Sequence, residues 1–246
     1  MKNNAPSYHI IEINQLKKSF GNNHVLNGFS MVLNEGESLV IMGKSGSGKS
    51  VMVKCLIGLM QPDEGYVKIM NQPISTLKQN ELDNLRTKIG FLFQGSALYD
   101  SMTVKENLEF PLRRTKLSDS EKQKMVMEAL ESVKLPQTLH LMPEELSGGM
   151  KRRIALARAI ILKPKIIIYD EPTTGLDPIT SKEIVHLMKE IQLKNGSSSL
   201  IITHDVDCAR VIADRMILLV NGINYTEGTF KELSSSTNKT IQAFFK

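Results

Sequence analysis

The sequence predicts an α/β fold: a core with a parallel sheet, an N-terminal antiparallel β subdomain and an inserted α-helical subdomain. Three observations carry this. Short apolar runs alternate with helical patterns in the last third of the chain, as parallel sheets require. One such run, Leu39-Val40-Ile41-Met42, is apolar at every position, which suits a strand covered on both faces. Between about Thr103 and Glu145 the chain turns polar and helix-favouring, with Pro111, Pro136 and Pro143 as punctuation.

Taken in order, Ile11 to Leu33 alternates, most clearly where Phe29, Met31 and Leu33 are separated by single residues, and predicts half-buried antiparallel strands. Asn34-Glu35-Gly36 supplies a turn into the Leu39–Met42 strand. Ser50 to Met60 then predicts a buried helix. Tyr66 to Met70 predicts an edge strand closed by an Asn71-Gln72-Pro73 turn, and Ile89 to Phe93 another short strand. The segment 118-SDSEKQKMVMEALESVKL-135 opens on a Ser-x-x-Glu capping box and predicts a helix burying Met125, Ala129, Leu130 and Val133. Strands resume at Ile166–Tyr169, Leu200–Thr203 and Met216–Val220, with helices predicted over Ser181 to Gln192 and Val206 to Ala213.

Composition narrows the function classes. At 246 residues, 41% hydrophobic and 23% charged, the chain can bury a substantial core. Its net charge of +5 comes from scattered Lys and Arg rather than blocks, so no nucleic-acid partner is expected. Cys55 and Cys208 lack metal-ligand spacing and predict two buried thiols in a reducing compartment. The start, MKNNAPSYHIIEINQ, has no signal-peptide core, and no apolar run reaches the roughly 20 residues of a membrane span. The expectation is a cytoplasmic chain, or one held at a membrane through something else.

Two glycine loops carry the chemistry. Gly43-Lys44-Ser45-Gly46-Ser47-Gly48-Lys49-Ser50, continued by Val51, fits the P-loop pattern between a buried strand and a helix. Its glycines let backbone N–H groups converge on phosphates, Lys49 adds charge, Ser50 offers a hydroxyl to Mg²⁺, and the helix start adds its dipole. Asp170, at the end of the Ile166–Tyr169 run, is the candidate for the Mg²⁺ shell. Glu171 beside it is the candidate for orienting or deprotonating a water. No guanine-reading Asn-Lys-x-Asp motif is present, which disfavours a GTPase. The second loop, Ser147-Gly148-Gly149-Met150, feeds the basic stretch Lys151-Arg152-Arg153 and also has the form of a phosphate holder.

The order of motifs, GKSGSGKS, Gln94 after a strand, LSGGM, IIIYDEP, Gly175-Leu176-Asp177, and His204 after a strand, resembles the ATP-binding subunits of ABC transporters from about Ile11 to Val220. The resemblance implies a RecA-like P-loop NTPase core in ABC-ATPase architecture. It implies one domain over residues 8–228, with 96–157 as the helical subdomain between 8–95 and 158–228, and a tail over 229–246. It also implies ATP and Mg²⁺ as cofactors, with Ser50, Gln94 and Asp170 on the metal, and Glu171, His204 and Gln94 as the catalytic group. Phe20 would stack on adenine, unless it is a core residue. Ser147, Gly148 and Gly149 would close over the nucleotide of a second copy of the chain, with Asp177 across the same interface, so that two chains make two whole sites.

A finer resemblance, to the ATPases of MCE or Mla-type lipid transporters, rests on Gln94 to Val104, Glu106 to Arg113, Met150, and Gly175 to Thr180. It implies an integral permease and an MCE lipid-binding protein as partners, at the cytoplasmic face of a bacterial inner membrane. The closing Ile241-Gln242-Ala243-Phe244-Phe245 either helps subunits hold each other, as in that branch, or packs on its own domain. Transport of another solute, and regulation of a membrane partner without transport, remain the alternatives.

Overall fold

The structure is a computed structural model and describes residues 9–245. The domain start at residue 8 and most of the stretch read for a leader segment lie outside the described residues. Strands β1 (His9–Phe20) and β2 (Asn23–Asn34) form the expected antiparallel hairpin, with Ile13 opposite Met31 and Leu16 opposite Phe29. On the other edge of β1 lies β4 (Glu64–Ile69), followed by the two-residue β5 (Gln72–Pro73). The turn between them is Met70-Asn71, both in the left-handed region, so Gln72 and Pro73 belong to a strand and not to the turn expected there.

The second sheet has six strands in the order β10-β9-β3-β8-β7-β6. β3 (Ser38–Met42) lies in its middle, parallel to both neighbours, and all five of its residues are buried. β6 (Ile89–Leu92), β7 (Ile166–Asp170), β8 (Ser198–Thr203) and β9 (Arg215–Val220) complete the parallel part. β10 (Ile223–Gly228) runs back antiparallel after an Asn221-Gly222 turn, an edge strand the sequence reading did not include.

Alternation along these strands divides the interior in two. Leu39, Ile41, Ile168, Ile202 and Ile217 pack toward the hairpin sheet and α1 (Lys49–Leu56). Val40, Met42, Tyr169, Ile201 and Leu218 pack toward the helices on the other face. Burying each of these large side chains contributes about 1.5–3 kcal/mol.

Helix α1 stops at Leu56, short of the expected Met60, because Gly58 turns into the left-handed region (φ 70°) and the Leu59 N–H closes back on Lys54 O at 2.9 Å. Arg86, the last residue of α2 (Gln79–Arg86), donates to the carbonyls of Ile57 and Gly58 at 3.2 and 3.1 Å. The helical lobe holds α3 (Val104–Glu109), α4 (Asp119–Ser132) and α5 (Gly148–Ile160). The Ser118–Glu121 capping box of α4 is present, with the Ser118 N–H donating to Glu121 at 2.7 Å. Its buried stripe is Val126, Ala129, Leu130 and Val133, an i, i+3, i+4, i+7 set. Met125 sits at the edge of that stripe and is only half-buried.

Helix α6 (Pro178–Asn195) is longer than expected at both ends, since Pro178 opens it directly after its cap Asp177. Helix α7 (Val206–Ile212) follows β8. Two short helices, α8 (Phe230–Ser234) and α9 (Lys239–Gln242), form the tail. Phe244 and Phe245 pack against the chain's own helical core, and the Phe245 ring meets Phe230 edge-on at 5.5 Å. Both cysteines are buried. Among the described residues no helix is long and apolar enough to cross a membrane.

Candidate functional site

The glycine loop leaves the carboxyl end of β3, a strand buried at every residue, and enters α1. Gly48 is the residue that makes the entry: its φ is 101°, and a Cβ there would meet the Val25 carbonyl at 2.9 Å. From the first turn of α1, Lys49 folds back so that its Nζ donates to the carbonyls of Gly43 and Lys44. The same Nζ lies 3.7 Å from Glu171 Oε1.

Glu171 follows the last residue of β7 and has a φ of 49°, a left-handed conformation that costs a glutamate about 1–3 kcal/mol. The surroundings hold it there. Its backbone N–H donates to Ile202 O of β8 at 2.8 Å. Its Oε2 accepts from the Thr174 hydroxyl at 3.3 Å and the Thr203 hydroxyl at 3.5 Å, and lies 2.8 Å from His204 Nδ1. A further bond, from the Thr173 hydroxyl to Asp205 at 2.7 Å, ties this turn to the N-terminus of α7, which Asp205 caps. The pKa of Asp170 is raised, first by burial and then by the Glu171 carboxylate, with Lys49 opposing.

These groups share one cavity of about 580 Å³, lined by Val25, the loop from Lys44 to Val51, Gln94, Asp170, Glu171 and His204. Residues far apart in sequence therefore meet as the P-loop and the ends of neighbouring strands predict. Val25 was not foreseen; it is the first half-buried residue of β2 and carries no polar side-chain atom that would mark it. Thr174, Thr203 and Asp205 were also missed, since hydroxyl and cap residues at or just beyond strand ends are common.

Three predicted groups stand apart from this cavity. Phe20 closes β1 and is 49% exposed, so it is not a core residue, and Lys18 Nζ lies 5.8 Å from the ring centre. Ser147 caps α5, accepting from the Met150 N–H at 3.2 Å. Gly149 lies against α6, where a Cβ would meet Thr180 Cγ2 at 2.7 Å. Asp177 is next to it, accepting from the N–H groups of Ile179 and Thr180, both at 3.0 Å, and from the Thr180 hydroxyl. That hydroxyl and the helix-start N–H groups hold the Asp177 carboxyl below the usual carboxylate range. The Ser147–Gly149 loop and Asp177 thus form one patch. The basic stretch behind them does not face a phosphate throughout: Arg152 is only 3% exposed.

The profile described as "ABC transporter" matches residues 26–174, more than half of the chain. The chain belongs to the ABC transporter family. The methionine import ATP-binding protein MetN of Brucella abortus is 38% identical over 224 residues, which are 91% of this chain and 61% of MetN. The chain thus spans about six tenths of the length of that relative. The Arabidopsis thaliana protein TRIGALACTOSYLDIACYLGLYCEROL 3, chloroplastic, is 37% identical over 96% of this chain and 73% of its own length. The ATP-binding cassette MJ0796, solved as a dimer in a post-hydrolysis state bound to ADP and Pi, superposes with a TM-score of 0.80 at 35% identity, covering 89% of this chain and 98% of that one. The two-sheet fold with its helical lobe is therefore the ABC-ATPase fold.

Met150 directly follows the Ser147–Gly149 loop and packs, half-buried, against the helical core. It contributes its backbone N–H to the Ser147 cap, and any residue at that position other than proline supplies the same donor. Met150→Gln is accordingly expected to keep ATPase activity within about twofold, as a volume-conserving change at a half-buried site. A steady-state assay showing a tenfold loss would assign the side chain a direct part in the site.

Proposed function

We propose that the chain is the ATP-hydrolysing subunit of an ABC transporter, acting as a homodimer with two composite sites and driving an integral membrane permease. The observation that carries the reading is the division of phosphate-binding features. Lys49, Ser50, Gln94, Asp170, Glu171 and His204 line one cavity, while Ser147–Gly149 and Asp177 form a patch outside it. A second copy is what brings such a patch to such a cavity.

In this reading the backbone N–H groups from Lys44 to Val51 receive the phosphates, and Phe20 and Val25 lie toward the base. Lys49 moves from the carbonyls of Gly43 and Lys44 to phosphate oxygens. That shift releases Glu171 Oε1, while His204, Thr174 and Thr203 keep Oε2 in place. Glu171 is then set to take a proton from a water in line with the terminal phosphate. Ser50, Gln94 and Asp170 would hold Mg²⁺. The fit is chemical: the carboxyl of Asp170 is desolvated and stands beside a second carboxylate, a place that a cation relieves. Among the described residues no group of three or more His, Cys, Asp or Glu could hold a metal alone. A hydroxyl, an amide, one carboxylate and phosphate oxygens suit Mg²⁺, which keeps few protein ligands. The ion supplies neutralisation of phosphate charge when bound.

Coupling to the permease is assigned to the groove between the helical lobe and the segment after Gln94. Its lining includes Phe93, Tyr99, Phe110, Arg114 and Arg158, and the three aromatics among these are 37–45% exposed. Tyr99→Asp is expected to reduce recovery of a membrane partner on affinity purification about tenfold, as loss of an aromatic anchor does. ATPase activity of the isolated chain should stay. Equal recovery of the partner with the unmodified and the substituted chain would move the docking surface elsewhere.

For the cargo we infer a phospholipid or other lipid, with an MCE lipid-binding protein as further partner and the chain held peripherally at the cytoplasmic face of a bacterial inner membrane. Support comes from the segments 94–113 and 175–180, from Met150, and from a relative that bears the name of a glycolipid. MetN, at similar identity, favours a second reading in which the solute is different. Purifying the native complex and identifying its subunits by mass spectrometry separates them. An MCE-domain protein supports lipid, a solute-binding protein for a small polar cargo overturns it, and a hydrolase regulator points to signalling.

A further inference from the structure

The guanidinium of Arg152 is buried inside the join between three functional segments. It lies in the second turn of α5, five residues after Ser147, about 7.5 Å along the helix axis. Its Nη1 donates to Phe93 O at 2.7 Å, and its Nη2 donates to Gln94 O at 2.6 Å and to Thr174 O at 3.2 Å. Its neighbour Arg153 instead pairs with Glu183 at the surface. Arg152 thus commits its charge to main-chain oxygens alone, and its buried Nε has no partner. Burying a cation with no carboxylate beside it is costly, so stability alone does not account for the arrangement.

Two of the three carbonyls belong to residues that reach the nucleotide cavity. The side chain of Gln94 lines it. The hydroxyl of Thr174 bonds Glu171 Oε2. Further along α5, Arg158 donates to the carbonyls of Ser96 and Ala97 at 3.2 and 2.8 Å, so the loop from Phe93 to Ala97 rides on this helix.

We infer that Arg152 is a positioning residue that couples the two halves of the site: it ties Gln94 and the Glu171 turn of its own cavity to the Ser147–Gly149 loop offered to the partner copy. A shift of either Gln94 or Thr174 on nucleotide binding is carried through one rigid, planar fork to the start of α5. A lysine ammonium also has three N–H donors, but no rigid plane that fixes the carbonyls relative to one another. The inference rests on the composite-site reading above.

The test compares Arg152→Met, which keeps volume and removes every donor, with Arg152→Lys, which keeps one charged donor. In the otherwise unmodified protein Arg152→Met should lower kcat about tenfold with KM for ATP within twofold, since the cavity lining is unchanged. In a Glu171→Gln background it should weaken ATP-driven dimerisation about tenfold, with Arg152→Lys between the two. If Arg152→Met is insoluble, Arg152→Gln is read the same way. A folded variant with lowered Tm but unchanged kcat and dimerisation overturns the inference. So does a rise in KM matched by no change in kcat. Failure of Glu171→Gln alone to dimerise with ATP strikes the composite-site proposal, and is distinct from dimerisation that Arg152 does not affect.

Discussion

Glu171→Gln should lose ATP turnover by a factor of about 10²–10⁴, the range associated with removing a positioned general base. The change is nearly isosteric. The amide oxygen can still accept from Thr174, Thr203 and His204, so the turn held by Ile202 O has no cause to move. What is lost is the second charged oxygen, Oε1, which lies opposite Lys49 at 3.7 Å. Nucleotide should therefore bind at least as well, because Lys49 no longer chooses between a carboxylate and a phosphate. The expected product is a closed dimer that accumulates with ATP and persists, visible by size-exclusion chromatography with multi-angle scattering. Hydrolysis at the unmodified rate would remove Glu171 from its assigned role.

Lys49→Ala and Ser147→Arg should each abolish activity alone and restore part of it when mixed. The first removes the cation that, in the proposed site, meets the phosphates. The second places a long side chain at the cap of α5, where the proposed composite site brings the partner's nucleotide. In a mixed dimer one site carries both lesions, and the other is built from an unmodified cavity and an unmodified loop. Random pairing makes about half of the dimers mixed, so activity near one quarter of the unmodified protein is expected for symmetric, independent sites. Mixtures no more active than either parent would mean that the loop serves its own chain, or that both sites must fire together. Adding unmodified chain to each parent in increasing ratio distinguishes these: activity falls in proportion to the fraction of modified chain if each chain serves itself, and more steeply if both sites must be whole.

The parts of the site written in consecutive residues were legible in the sequence. Gly43 to Ser50 and the Ile166–Glu171 run are local devices: a strand, a turn of required geometry, a helix start. Their types and spacing are dictated by the chemistry of phosphate and Mg²⁺. Thr174, Thr203 and Asp205 were not, because a hydroxyl at or just beyond a strand end becomes functional only through the register that sets β7 beside β8. Arg152 is the sharpest case. In Lys151-Arg152-Arg153 nothing marks the middle residue as buried, and the carbonyls that hold it lie 58 or 59 residues before it and 22 after. The end of α1, by contrast, was legible: Gly58, in the left-handed region, is a local stop signal, and the expected helix to Met60 runs past it. Periodicity placed α4 correctly but gave Met125 in place of Val126, one step around the same face.

The six-stranded sheet, finally, acts as a bulkhead. A change at Val40 or Met42 is felt among the helices, and a change at Leu39 or Ile41 among the hairpin strands and α1. Period-two alternation makes neighbouring letters answer to different rooms. The lobe proposed to meet a membrane partner can therefore drift with that partner, while the room beneath the phosphate loop keeps its furniture. Relatives with such different names, sharing under two fifths of their residues with this chain over nearly its whole length, are what such a partition allows.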